Sequence, residues 1–245
     1  MLIFQGDGTD VQFVAALDTA TGKLAWKTAR GCEANLSEHY KKCNGTPLLV
    51  EIAGHQVLAS NGAGWFYGYD PDDGRELWKV RFNSMGYSVT ARPVSGNGMV
   101  YFSTGYLTPR IWALNFDAAG LPQVAWIGSK QGPTMPSPLL VGSELCAASD
   151  SGMVTCLDSA TGAEHYHERL ERTIHAAPIF ADGRLYFFGT SGTTHVLAPG
   201  KLFTKLAENK LDEVIKASPA AVDGTFFIRT EKSLYRIEAV TQSPR

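Results

Sequence analysis

The chain has 245 residues, 44% of them hydrophobic and 19% charged, with a net charge of −2. That is enough apolar material for a substantial core, and a near-neutral balance without a basic patch argues against nucleic acid or an anionic membrane surface as partner. No apolar run approaches the ~18 residues of a membrane span, and 25 Gly and 12 Pro spread along the chain favour many short strands.

In chain order, Leu2-Ile3-Phe4-Gln5-Gly6 reads as a strand and lacks the basic region and cleavage site of a secretion signal. A repeat follows. Ala16-Leu17-Asp18-Thr19-Ala20-Thr21-Gly22-Lys23-Leu24-Ala25-Trp26 returns as Gly68-Tyr69-Asp70-Pro71-Asp72-Asp73-Gly74-Arg75-Glu76-Leu77-Trp78. It returns stretched from Ala113-Leu114-Asn115 through Gly120 to Trp126, and again as Cys156-Leu157-Asp158-Ser159-Ala160-Thr161-Gly162. Weaker copies are Val196-Leu197-Ala198-Pro199-Gly200 and Tyr235-Arg236-Ile237-Glu238. The anchors Leu17, Tyr69, Leu114, Leu157, Leu197 and Ile237 lie 52, 45, 43, 40 and 40 residues apart.

A second motif, small-Pro-apolar, runs in the same phase at Pro47, Pro93, Pro138, Pro178 and Pro219. Between the two motifs lie β-rich runs at 56–60, 99–104, 144–149, 184–189 and 225–230. Each unit therefore carries four strands. Pro opens strand A, a hairpin leads to strand B, a Ser/Asp/Gly turn to strand C, and Asp-x-x-Thr-Gly turns into strand D. Gly62-Ala63-Gly64 and Gly96-Asn97-Gly98 are expected to be hairpin turns. Four-stranded units repeating every 40–45 residues or so predict an all-β fold, a β-propeller of four-stranded antiparallel blades.

One domain, residues 1–245, is expected. It comprises a partial blade at 1–30, blades at about 44–82, 90–130, 135–170 and 175–210, and a partial blade at 216–240. Trp26, Trp78 and Trp126 share one place in strand D, where a wide ring covers the face between blades. His165-Tyr166-His167 takes that place in the fourth copy. The polar insertion from Glu33 to Lys42 reads as a solvated excursion or a single helical turn.

The Ala-x-Asp-x-x-Thr-Gly-x-x-x-Trp unit resembles the repeat of the pyrroloquinoline-quinone-like propeller superfamily. That superfamily includes quinoprotein alcohol dehydrogenases and the propeller lipoprotein of bacterial outer-membrane assembly. Ala91-Arg92-Pro93-Val94 and Ser233-Leu234-Tyr235-Arg236-Ile237 carry the likeness furthest. The resemblance covers essentially the whole chain and implies seven or eight blades and export to the periplasm or cell envelope. By that standard the chain is expected to be N-terminally truncated, an open arc of about six blades from an eight-bladed ring. The implied function is a non-catalytic scaffold or binding module with a protein partner and no cofactor. The alternative is a quinone-dependent dehydrogenase, whose family site uses adjacent cysteines, Trp stacking and a calcium site of Glu, Asn and Asp. No adjacent Cys pair exists among Cys32, Cys43, Cys146 and Cys156.

Other chemistry is sparse. Cys146 and Cys156 flank Ser149-Asp150-Ser151-Gly152 and fall nearly opposite each other. A cross-strand disulfide is one reading; two buried reduced thiols are preferred. Cys32 and Cys43 could close a small loop. Of the six histidines, His165 and His167 would share a strand face, but no third ligand is placed beside them, so two exposed strand histidines are preferred to a metal site. No catalytic residues are assigned. If a ligand binds, the residues before each strand A Pro line the channel mouth. Three before stand Asn44, Thr90, Met135, His175 and Lys216; one before stand Thr46, Arg92, Ser137, Ala177 and Ser218. A solvated channel is the preferred reading. In a ligand-reading ring, Arg92 and Lys216 would favour a small anionic group.

Overall fold

The computed structural model describes residues 1–8, 10–31, 38–82 and 86–238. The first sheet holds β1 (Leu2–Asp7), β2 (Gln12–Leu17) and β3 (Leu24–Ala29). A 3-10 turn at Glu38–Lys41 supplies the helical-turn alternative for part of the insertion; Cys32 lies outside the described residues. The second sheet is β4 (Leu48–Ile52), β5 (His55–Asn61), β6 (Trp65–Tyr69) and β7 (Glu76–Arg81). Next come β8 (Gly86–Tyr87), β9 (Val94–Gly96), β10 (Met99–Ser103), β11 (Tyr106–Leu107), β12 (Ile111–Phe116) and β13 (Pro122–Ile127). Of these, β9, β10, β12 and β13 form the third sheet, while β8 and β11 pair as a separate ribbon.

The fourth sheet is β14 (Leu139–Val141), β15 (Glu144–Ala148), β16 (Met153–Asp158) and β17 (Glu164–Arg169). The fifth is β18 (Ile179–Ala181), β19 (Arg184–Phe188), β20 (Thr193–Leu197) and β21 (Lys205–Lys210). The last holds β22 (Ala220–Val222), β23 (Thr225–Arg229) and β24 (Leu234–Glu238). Five of these sheets are antiparallel meanders of consecutive strands, and the third differs only in passing over β11. The fold is all-β and propeller-like, as the repeat predicts.

The core lies between the blades because strand side chains alternate. On β10, Val100 and Phe102 join Phe66, Trp78 and Phe82 of the second sheet, while Tyr101 joins Leu145 and Leu157 of the fourth. Val14, Ala16 and Trp26 likewise meet Leu58 and Tyr69. Cys156 and Tyr166 meet Leu185 and Phe187, and Phe188 meets Ile228. Five interblade clusters thus tie six sheets into one arc.

The consensus residues explain the joints. Asp18 Oδ1 accepts from the Ala20 and Thr21 N–H groups and from Thr21 Oγ1, at 3.1, 2.8 and 2.8 Å. Asp158 repeats this with Ala160 and Thr161, and the Thr hydroxyls pull both carboxyls below their ordinary range. The Trp ring then packs on the next blade's turn. Trp26 Nε1 donates to Pro71 O and Trp126 Nε1 to Ser159 O, both at 3.0 Å. A Cβ on Gly74 would fall 2.4 Å from the Trp26 ring, and one on Gly162 2.6 Å from Trp126, so glycine is required for contact as well as for its positive φ. The expected interblade role of the Trp row is what the structure shows. In the fourth blade Tyr166 holds the place, opposite Cys156 and edge-on to Phe203.

Cys146 and Cys156 form a disulfide, which corrects the preference for reduced thiols. The hairpin register sets them directly opposite each other with Cα atoms 4.1 Å apart, closer than sequence spacing alone could fix. Cys43 is a buried free thiol. His165 and His167 are half-buried rather than exposed. His165 Nε2 lies 2.9 Å from Glu144 Oε2, and His167 Nδ1 lies 2.7 Å from Thr155 Oγ1.

Candidate functional site

The strands opening with Pro pack side by side along the inner wall, β9 on β14, β14 on β18, and β18 on β22. The segment entering each strand alternates in burial. Cys43, Val89, Ile174 and Ile215 are buried, and of the next residues Asn44, Thr90 and Lys216 are exposed and His175 is half-buried. Met135 and Arg92 are also exposed. The alternation is that of an extended strand with one wet face.

These six candidates stand on five successive blades, Thr90 and Arg92 sharing one, and do not converge on one cavity. Asn44 lines a groove of about 730 Å³ with Gln5, Asp7 and Cys43, and the other five do not share it. Thr90 Oγ1 donates to Ser88 O at 3.2 Å, and the Met135 N–H donates to Asp150 Oδ1 at 3.2 Å. Burial pushes the Asp150 carboxyl up, opposed by the Met135 and Thr134 backbone donors and by nearby His175. Lys216 Nζ reaches Glu231 Oε1 at 3.1 Å, so its charge is already matched. Arg92 therefore carries more of any anion preference than Lys216 does. The position just before Pro is structural where it is Ser. Ser137 Oγ accepts the Arg92 N–H and Ser218 Oγ accepts the Ala177 N–H, at 2.9 and 3.0 Å, pegging each blade to the one before.

Sequence reasoning missed the carboxylates behind this ring. Glu213 Oε1 accepts from Ser233 Oγ and Tyr235 Oη at 2.9 and 3.0 Å, while Oε2 accepts from Thr230 Oγ1 and the Lys232 N–H at 2.5 and 3.2 Å. Led by the Thr230 bond, these lower its pKa to about 2. Glu171 works similarly one blade earlier. Burial pushes it up, but bonds from Ser191 and the Arg172 N–H, with His195 nearby, outweigh that and leave it lowered. Buried His195 sits between Glu171 and Glu208, held below its ordinary pKa by desolvation and by Lys205. The legible signal was an acid six or seven residues before Pro178 or Pro219, facing a Ser/Thr turn.

A second buried network lies at the start of the arc. Arg30 Nε and Nη2 donate to the two Asp7 oxygens at 2.8 and 2.6 Å, and Nη1 donates to Ser60 Oγ at 2.8 Å. Ser60 donates to Gln5 Oε1 at 2.7 Å, and Gln5 Nε2 reaches Cys43 Sγ at 3.3 Å. Burial pushes the Cys43 thiol up to about 11, so it is a protonated, inert group.

The residues present do not fit a quinone site of the dehydrogenase kind. The disulfide lies between β15 and β16 in the core, and the Trp row is spent between blades. Among the described residues no three His, Cys, Asp or Glu side chains are grouped to hold a metal.

The family profile described as outer membrane protein assembly factor BamB matches residues 10–120 and 109–198. No curated protein matches the chain in sequence. Among solved structures, BamB from Moraxella catarrhalis is similar at a TM-score of 0.68 and 14% identity, over 89% of this chain and 64% of that one. The computationally designed Ika8 protein is similar at a TM-score of 0.70 and 14% identity, over 97% of this chain and 67% of that one. The chain thus spans 64% of the length of that BamB, and at such identity the likeness is one of fold. With the profile covering most of its repeats, the chain belongs to the pyrroloquinoline-quinone-like β-propeller repeat family described by the outer membrane protein assembly factor BamB.

Proposed function

We propose that this chain is a non-catalytic scaffold of the bacterial cell envelope that docks a protein partner on the rim bearing the channel mouth. The observation that carries this reading is the β8–β11 ribbon, which joins the connection before β9 to the loop after β10 on that rim. Tyr106 and Leu107 are 56% and 53% exposed there. Leu107 holds a φ of 83°, a left-handed conformation that a leucine adopts only at a cost. A strained, exposed leucine beside the mouth suits a contact point. Family membership supports the envelope location and the protein partner, and Arg92 offers a nearby site for an anionic group of that partner.

The test is Leu107→Asp in the intact chain. Loss of partner capture with an unchanged circular dichroism spectrum and melting temperature supports the reading. Undiminished capture contradicts it.

A further inference from the structure

The joints between blades are not equally closed at the rim opposite the mouth. Where the third blade meets the fourth, the hairpin residue Asn97 donates through Nδ2 to Gly142 O at 2.8 Å and to Ser159 Oγ at 3.1 Å. Gly96 leaves room there for Leu140, whose side chain would lie 2.4 Å from an added Cβ. One joint earlier, between the second and third blades, Ala53 holds the place of Asn97 in the hairpin. It has the same left-handed backbone, with φ at 50° against 55°, but no side-chain donor. In the stretched third repeat Phe116 stands two residues after the anchor, where the fourth has Ser159. Neither the donor nor the hydroxyl of that bridge exists at this joint.

At the mouth end the same two blades are held together, with Asn61 Nδ2 donating to Ala91 O at 3.0 Å. The joint therefore opens toward the opposite rim, where a groove of about 590 Å³ runs between β4 and β9. Both walls belong to complete four-stranded sheets. The floor is apolar: Ile52 and Val100 are buried in the core of the joint, and half-buried Phe116 packs against it. Two carboxylates line the groove, Glu51 and Asp117, and no cationic side chain does. Asp117 Oδ1 accepts from the Ala119 and Leu121 N–H groups, both at 2.9 Å, which leaves Oδ2 for a further donor. Glu51 is exposed.

We propose that this groove binds a small organic amine, its apolar body laid on Ile52, Val100 and Phe116 and its ammonium head paired with Glu51 and Asp117. A groove of this volume, apolar with a few polar groups at its edge, has the make-up of a small-molecule site. Charge sets the ligand class. A neutral alcohol of the same shape gains the floor but no ion pair, and an anionic ligand is repelled by both carboxylates. A primary ammonium carries three donors, enough to serve both acids at once.

The probe is phenethylamine, titrated into the isotope-labelled intact chain and followed by NMR. Saturable shifts should appear at the Gly96, Gly98 and Ala118 amides, with a dissociation constant on the order of a millimolar for so few atoms. Phenethyl alcohol should bind about fivefold more weakly, and Glu51→Lys should weaken the amine by about fivefold as well, each through loss of an exposed ion pair. The melting temperature of Glu51→Lys should match that of the parent chain, because the side chain it replaces is exposed. No saturable shift, equal affinity for the alcohol, undiminished binding to Glu51→Lys, or shifts confined to other amides would each overturn the proposal.

Discussion

The second and third blades meet across a large stack of rings, whereas the fifth and sixth meet through a smaller apolar cluster with a hydrogen-bonded carboxylate beside it. Phe66 and Phe102 lie 4.1 Å apart and 1° from parallel, with Trp78, Phe82 and Trp112 around them. At the other end β21 and β22 are exposed along their length, and Glu213, in the connection between them, gathers four donors from the sixth blade's β23–β24 hairpin. The repeat explains the trade. Where strand D keeps its Trp, the ring covers the next blade; where Ala207 stands opposite Val196 in its place, the joint has no such ring. One fold therefore tolerates large aromatic joints and smaller ones, the last joint carrying a pH-sensitive clamp beside its apolar cluster.

The largest effect should come from the buried pair at the start of the arc. Arg30→Met leaves the Asp7 carboxylate buried without its partner and should cost about 3 kcal/mol or more in urea unfolding. A loss under about 1 kcal/mol would mean that the network is not closed as described. Close behind, Phe102→Ala should cost about 3 kcal/mol, since it opens a cavity in the aromatic joint. Phe226→Ala, between the last two blades and only half-buried, should cost clearly less. Equal losses would erase the contrast between the two ends.

A finer comparison lies within the Trp row. Trp26 donates to Pro71, but the stretched third repeat offers Trp78 no acceptor, and its Nε1 is buried without a partner. Trp26→Phe should therefore cost about 1 kcal/mol more than Trp78→Phe. The smallest effect concerns acid. The Glu213 pKa falls from 4.5 to about 2 on folding, so its stabilisation is present above pH 4.5 and is lost as pH falls towards 2. Melting temperatures of Glu213→Gln should show a shallower decline across that window than the parent chain. Parallel curves would remove the clamp from the account.

Much of this was legible because the repeat is physical. Asp18, Thr21 and Gly22 can only make one turn well, and a Trp at a fixed offset from that turn must meet the next blade. Strand order and interblade packing followed from that. The disulfide was not legible, because opposition in a hairpin depends on a one-residue register that spacing alone leaves open. The clamps were missed because Glu171 and Glu213 sit in connections of variable length, where the chain shows no period. Register places Arg92 and His175 before their strands, the first exposed and the second half-buried, and says nothing of what meets them.

The central claim is that the mouth rim is a protein-docking face. Its most direct test is a photo-crosslinking side chain placed at Leu107, with a control at Leu24 on the opposite rim, which is 57% exposed. Irradiation in cells should yield one discrete adduct with an envelope protein from Leu107 and none from Leu24. Adducts of equal yield from both positions, or from Leu24 alone, would contradict the account.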